Sequence, residues 1–127
     1  MNLEKVIFGF FIVLALTLNV DFVVGEMANH KHHSIWVLFA AILVNLIATG
    51  LKLGDRTQIG AVLLSTSLVA NLHLIIAALV WKMATDASGA GPDEDTMVNV
   101  VSLAIGALVA NIVSVVMLVV DTLMSRR

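Results

Sequence analysis

The 127-residue chain has no cysteine, a single proline and only 13% charged residues. Without cysteine it is neither a disulfide-stapled secreted scaffold nor a thiol-dependent redox protein. A water-facing domain carries about 25% charged residues, so this chain has about half the charge needed to cover a soluble surface. That excludes a soluble enzyme and a disordered tail. Seven Lys+Arg against nine Asp+Glu give a net charge of −2 and no basic patch, which speaks against nucleic-acid binding. No glycine-rich phosphate loop and no ladder of arginines is present. Ser67 and His73 are poorly placed on one helix to act as a nucleophile and base, so no enzyme is expected and no cofactor is implied.

What is present is apolar: 60% of the residues are hydrophobic, and the few charges cut the chain into four long runs. Crossing a hydrocarbon core takes about 20 helical residues at about 1.5 Å each. The expected architecture is an all-α bundle of four transmembrane helices in one domain, 1–127, with spans at 5–24, 34–53, 57–82 and 96–122. Gly54 suits a helix end, and Pro92 followed by Asp93, Glu94 and Asp95 suits a helix start, where exposed N–H groups and the dipole favour negative charge. Met1–Gly25 has a rival reading as a cleaved secretory signal, with Lys5 ahead of the apolar stretch. Its apolar run is long for that role and carries Asp21 near its end.

Positive charge sets the expected orientation. Lys5, Lys52, Arg56, Arg126 and Arg127 fall on one side of the four spans, and only Lys31 and Lys82 on the other. The positive-inside rule then puts both termini in the cytoplasm and leaves an acidic outer side with Trp36 and Trp81 at its interface.

Polar residues inside the spans carry the functional information, because polar atoms in hydrocarbon are costly unless paired. Asn45, Asn71 and Asn111 lie near the middle of the second, third and fourth spans, and Asn19 lies closer to the outer end of the first. They read either as amides bonding the helices together or as the lining of a pathway. Ser102, Gly106, Ala110 and Ser114 recur every four residues as a helix-packing stripe whose partner, within the chain or in another copy, is open. His73 is the one ionisable group deep in a span and is either a structural histidine or a proton, metal or haem site. It lies about 200° around the helix from Asn71, which sends polar groups in two directions and argues for a homo-oligomer or a partner subunit. Asp21 and Glu26 are candidates for an outer cation-attracting mouth. His30, His32 and His33 form a histidine-rich loop that is either solvated or a metal ligand set.

The size invites comparison with small multidrug transporters and dimeric fluoride channels, but the membrane-embedded Glu of the first and the glycine- and threonine-rich signatures of the second are missing. Residues 1–11 (MNLEKVIFGFF), 44–49 (VNLIAT) and 54–61 (GDRTQIGA) resemble instead a family of small bacterial four-span proteins of unknown function. The resemblance implies a bacterial inner membrane and transfers no site residues. The leading functional expectation is an oligomeric channel or transporter component, cation- or proton-leaning, with any path lying between copies. The alternatives are a non-conducting accessory subunit of a larger membrane protein and a metal- or pH-responsive membrane sensor. The lipid bilayer is the one partner all three share.

Overall fold

The computed structural model describes residues 3–24, 35–54, 57–89 and 91–125. Among them the chain is entirely helical: α1 Leu3–Val23, α2 Ile35–Lys52, α3 Gln58–Ser88 and α4 Glu94–Ser125. All four are long and apolar enough to cross a membrane.

Each helix begins and ends for local reasons. Thr57 caps α3, its hydroxyl accepting the Gly60 N–H at 3.0 Å. Gly89 closes α3 in the left-handed conformation (φ 75°), and its N–H reaches the Thr85 carbonyl at 2.7 Å. Only glycine adopts that backbone freely. Asp93 caps α4 by accepting the Thr96 N–H at 2.8 Å. The Thr96 side chain and backbone together hold the Asp93 carboxyl below its ordinary pKa. Both long helices outrun the apolar text. α3 continues seven residues past Trp81 through Ala84 and Ala87, good helix formers, until Gly89 stops it. Its 31 residues span about 46 Å, more than the roughly 30 Å hydrocarbon layer.

The helices form a square in chain order, α1 beside α2, α2 beside α3, α3 beside α4, with α4 returning to α1. Lys5 meets Asp121 and Asn19 meets Ala104, so α1 and α4 are antiparallel. Thr66 meets Ser114 and His73 meets Gly106, so α3 and α4 are antiparallel too. The end holding Lys5, Lys52 and Asp121 is the proximal end; the end holding Phe22, Trp36 and Trp81 is the distal end.

The surface is as apolar as the interior. Phe10, Leu43, Leu72 and Val109 are all more than half exposed around the perimeter. In water such a surface would aggregate; in lipid it is the solvated face. The interior sorts into layers. A distal apolar cluster is built on Phe22, Leu38, Leu74, Ala77, Met97 and Val101, with Trp81 tilted against Phe22 at 6.1 Å. A smaller proximal cluster joins Phe8, Ile12, Ala48 and Leu63. Between them lies a polar layer.

Candidate functional site

Asn19, Asn45, Thr49, Ser67, Asn71, Asn111 and Ser114 are all buried. The α3/α4 register set by the Thr66–Ser114 and His73–Gly106 contacts places Asn71 at the depth of Leu108 and Val109, within one turn of Asn111. Ser67 lies one turn proximal to Asn71 on the same face of α3. All four helices therefore contribute to one belt near mid-depth.

Its hydrogen bonds run round the bundle. Asn71 Nδ2 donates to Thr49 Oγ1 at 2.7 Å, tying α3 to α2. Thr49 Oγ1 in turn donates to the Asn45 carbonyl at 2.8 Å. Asn45 Nδ2 donates to the Ala41 carbonyl of its own helix at 2.9 Å. With its amide oriented to satisfy both ends, Asn19 donates to the Ala104 carbonyl at 3.0 Å. Its oxygen then accepts Asn111 Nδ2 at 3.2 Å and the Leu108 N–H at 3.1 Å, joining α1 to α4. Thr66 and Ser114 share a short hydroxyl–hydroxyl bond across α3 and α4. Interhelical bonds of this kind contribute about 0.6 kcal/mol each and up to about 1.7 kcal/mol in a membrane bundle.

The bookkeeping is one-sided. Every one of the four amide nitrogens has an acceptor. Asn45 Oδ1, Asn71 Oδ1, Asn111 Oδ1 and Ser67 Oγ are buried without a partner. A buried polar atom left unmatched costs about 1–3 kcal/mol, so four in one layer are a chemical feature that helix packing alone does not require.

His73 stands apart from this belt. It sits half-buried at the outer α3/α4 seam, with Nδ1 against the Val69 carbonyl at 2.9 Å. Its ring lies over Gly106: a Cβ there would stand 2.7 Å from His73 Cδ2, too close for any side chain without a shift. With Asn99, Ser102 and Leu103 these two residues line an open groove of about 440 Å³. The packing stripe thus divides. Gly106 and Ser114 face α3 of the same chain, Ala110 is buried, and Ser102 is exposed beside the groove.

A larger cleft of about 770 Å³ opens at the proximal end, lined by Glu4, Lys5, Phe8, Lys52, Leu63 and Asp121 among others. Sequence reading did not anticipate it, because its walls come from all four helices and no local pattern marks it. Lys5 and Asp121 are 3.5 Å apart, both partly exposed, a pair worth at most about 1 kcal/mol. The Lys52 ammonium lies 4.4 Å from the centre of the Phe8 ring. The proximal apolar cluster separates this cleft from the belt, and Leu63 belongs to both cleft and cluster.

The candidate residues therefore fall in different places. Asn45, Asn71 and Asn111 come together with Asn19 inside the bundle, whereas His73 lies outside it. Sequence reading allowed direct bonds among the three amides; instead Asn71 turns to Thr49, Asn45 to its own helix and Asn111 to Asn19. The polar groups also face in fewer directions than the helical-wheel argument required. The inward faces of four helices absorb every asparagine in the belt, and His73 slots into a seam. Asp21 is exposed at the distal end of α1, while Glu26, His30, His32 and His33 lie outside the described residues. Among the described residues no three His, Asp or Glu side chains converge to hold a metal.

This arrangement defines a multi-pass membrane protein with a polar layer inside a lipid-facing bundle. The chain matches, over residues 32–122, the family described as Family of unknown function (DUF6394), and it belongs to that family. α1, which completes the belt through Asn19, precedes the matched region. No curated protein and no solved structure matches the chain.

Proposed function

We propose that this protein is a small transporter component of the bacterial inner membrane, cation- or proton-leaning, with both termini cytoplasmic. The observation that carries this reading is the belt of buried, unmatched oxygens near mid-depth. An oxygen lined up without a donor attracts positive charge or a proton donor and repels anions. The proximal cleft approaches that belt, and apolar clusters bracket it on both sides. That layout favours a carrier opening one side at a time over an open pore. The five-to-two bias of Lys and Arg toward the proximal end supports a cytoplasmic cleft. With the asparagines directed inward, this reading takes the path past them within the bundle; the route between copies expected from sequence is tested by the oligomeric state. Purified protein in liposomes tests the reading. Cation or proton flux above that of empty vesicles is expected, and flux equal to theirs sinks it.

A second reading, a non-conducting accessory subunit or a homo-oligomer built through one face, is favoured by a separate observation. His73, Asn99 and Ser102 line a groove on the α3/α4 perimeter, where lipid offers no hydrogen-bond partner. Gentle solubilisation then yields a stoichiometric larger partner or a defined multimer. A lone copy of the chain eliminates this reading. The sensor alternative draws on His73 together with His30, His32 and His33, which lie outside the described residues.

A further inference from the structure

We propose that the proximal cleft holds one phospholipid of the adjoining leaflet, with a head that carries both a phosphate and a primary ammonium. This site does not depend on the transport reading, which turns on the buried belt.

The cleft has a charged mouth and an apolar floor, in the vertical order of a lipid. Lys5 on α1 and Asp121 on α4 flank the mouth. Phe8 and Leu118 lie three residues further into the bundle on the same two antiparallel helices, about 4.5 Å deeper. Ile7 and Leu51, exposed apolar residues of α1 and α2, also line the cleft, so its apolar wall continues to the lipid-facing surface. The volume of about 770 Å³ is in the range of organic-ligand sites, about 300–1,000 Å³. That accommodates a head and the start of its chains while the rest stays in the bilayer.

Charge at the mouth selects the head. Among the described residues the ionised lining is Glu4, Lys5, Lys52 and Asp121, two of each sign. A head with a phosphate and an ammonium complements both, whereas an anionic head sets its charge against the carboxylates without using them. Lys5 and Asp121 are 3.5 Å apart and partly exposed, a weak pair that exchanges readily for the phosphate and the ammonium. The two carboxylates favour a primary ammonium, which offers three N–H donors, over a quaternary one, which offers none. The aromatic face that would suit a quaternary ammonium is already covered, since the Lys52 ammonium stands 4.4 Å from the centre of the Phe8 ring.

The test uses the full-length protein, stripped of lipid in mild detergent. It is mixed with phosphatidylethanolamine, phosphatidylcholine or phosphatidylglycerol bearing identical chains. Native mass spectrometry counts the lipids retained, and the thermal midpoint follows their effect on the fold. One phosphatidylethanolamine per chain is expected. It should be retained at about tenfold lower concentration than either other lipid, as one charge-assisted hydrogen bond would supply, and should raise the midpoint saturably. Asp121→Asn should erase the preference over phosphatidylcholine, and Asp121→Glu should keep it. Because Asp121→Asn also breaks the pair with Lys5, Glu4→Gln serves as the gentler change and should narrow the same preference. Lys52→Gln should weaken all three lipids through their shared phosphate. Ser102→Ala, on the distant α3/α4 groove, should alter nothing. Equal retention of the three lipids means that they only coat the bundle and overturns the site. A preference for phosphatidylglycerol or phosphatidylcholine overturns it too, because the carboxylates then take no part. So does a preference for phosphatidylethanolamine that Asp121→Asn and Glu4→Gln both leave intact, which would place the lipid elsewhere.

Discussion

The two ends of the bundle are built differently although the same four helices form both. Distally, Phe22, Leu38, Met97 and Trp81 fill the space between the helices. Proximally, Phe8, Ile12, Ala48 and Leu63 make a single thin layer beneath a cleft of about 770 Å³ edged by Lys5, Lys52, Glu4 and Asp121. Charged side chains keep their heads in water and hold the helix ends apart, whereas aromatic and branched side chains draw them together. The contrast makes the polar belt asymmetric. It is one layer from water on one side and a full cluster from it on the other.

The contrast is sharpest in accessibility. The native chain has no cysteine, so single cysteines report without background. Ile59→Cys, a partly exposed wall residue of the cleft, should label with a membrane-impermeant thiol reagent in detergent or nanodiscs, and Leu74→Cys, in the distal cluster, should resist it. Equal labelling of the two would erase the distinction. Next comes packing energy. Phe22→Ala should cost about 3–5 kcal/mol in reversible unfolding, because the surrounding cluster closes only partly around the void. Phe8→Ala should cost less, since the cleft already borders that ring. A larger loss for Phe8→Ala would mean that the proximal end is the firmer one.

The seam between α3 and α4 offers a smaller effect. Gly106→Val should destabilise by about 1–3 kcal/mol as the new side chain meets the His73 ring. Adding His73→Ala should restore most of that loss in a double-mutant cycle; simple additivity would show that the ring is not the obstacle. Smallest is the distal cap of α4. The folded-state pKa of Asp93 lies below its ordinary 3.8. Its capping contribution is therefore present above that value and disappears as pH falls through the lower, folded pKa. Asp93→Ala should speed hydrogen exchange at the Thr96 amide at neutral pH. The two proteins should converge once the pH is below the folded pKa. Persistent divergence there would mean that the cap does not act through its charge.

Particular residues show how far local reading reaches. The four helices follow from run length, and the Asp93 start of α4 from its acidic residues after Pro92, since both effects act within a few turns. The end of α3 was less legible. The expected span closed at Lys82, where charge interrupts the apolar run, but a helix continues through polar residues until something such as Gly89 stops it. Asn45, Asn71 and Asn111 stood out as polar atoms in apolar text, yet their partners did not. Thr49 lies 22 residues from Asn71, and Asn19 lies 92 residues from Asn111. Only the packing of the four helices brings either pair together. The proximal cleft had no signal at all, being a property of the gap between helices.

By itself, then, the sequence determined the solvent this protein requires, the number of its helices and the polar residues to be accounted for. Those depend on composition and on spacing along one chain, where a helix repeats every 3.6 residues whatever surrounds it. Tertiary structure alone decided that the asparagines turn inward, that His73 turns to a seam, and which oxygens are left without donors. A hydrogen bond has a direction and two partners, and when those partners lie on different helices only the packing of the bundle determines which donor meets which acceptor.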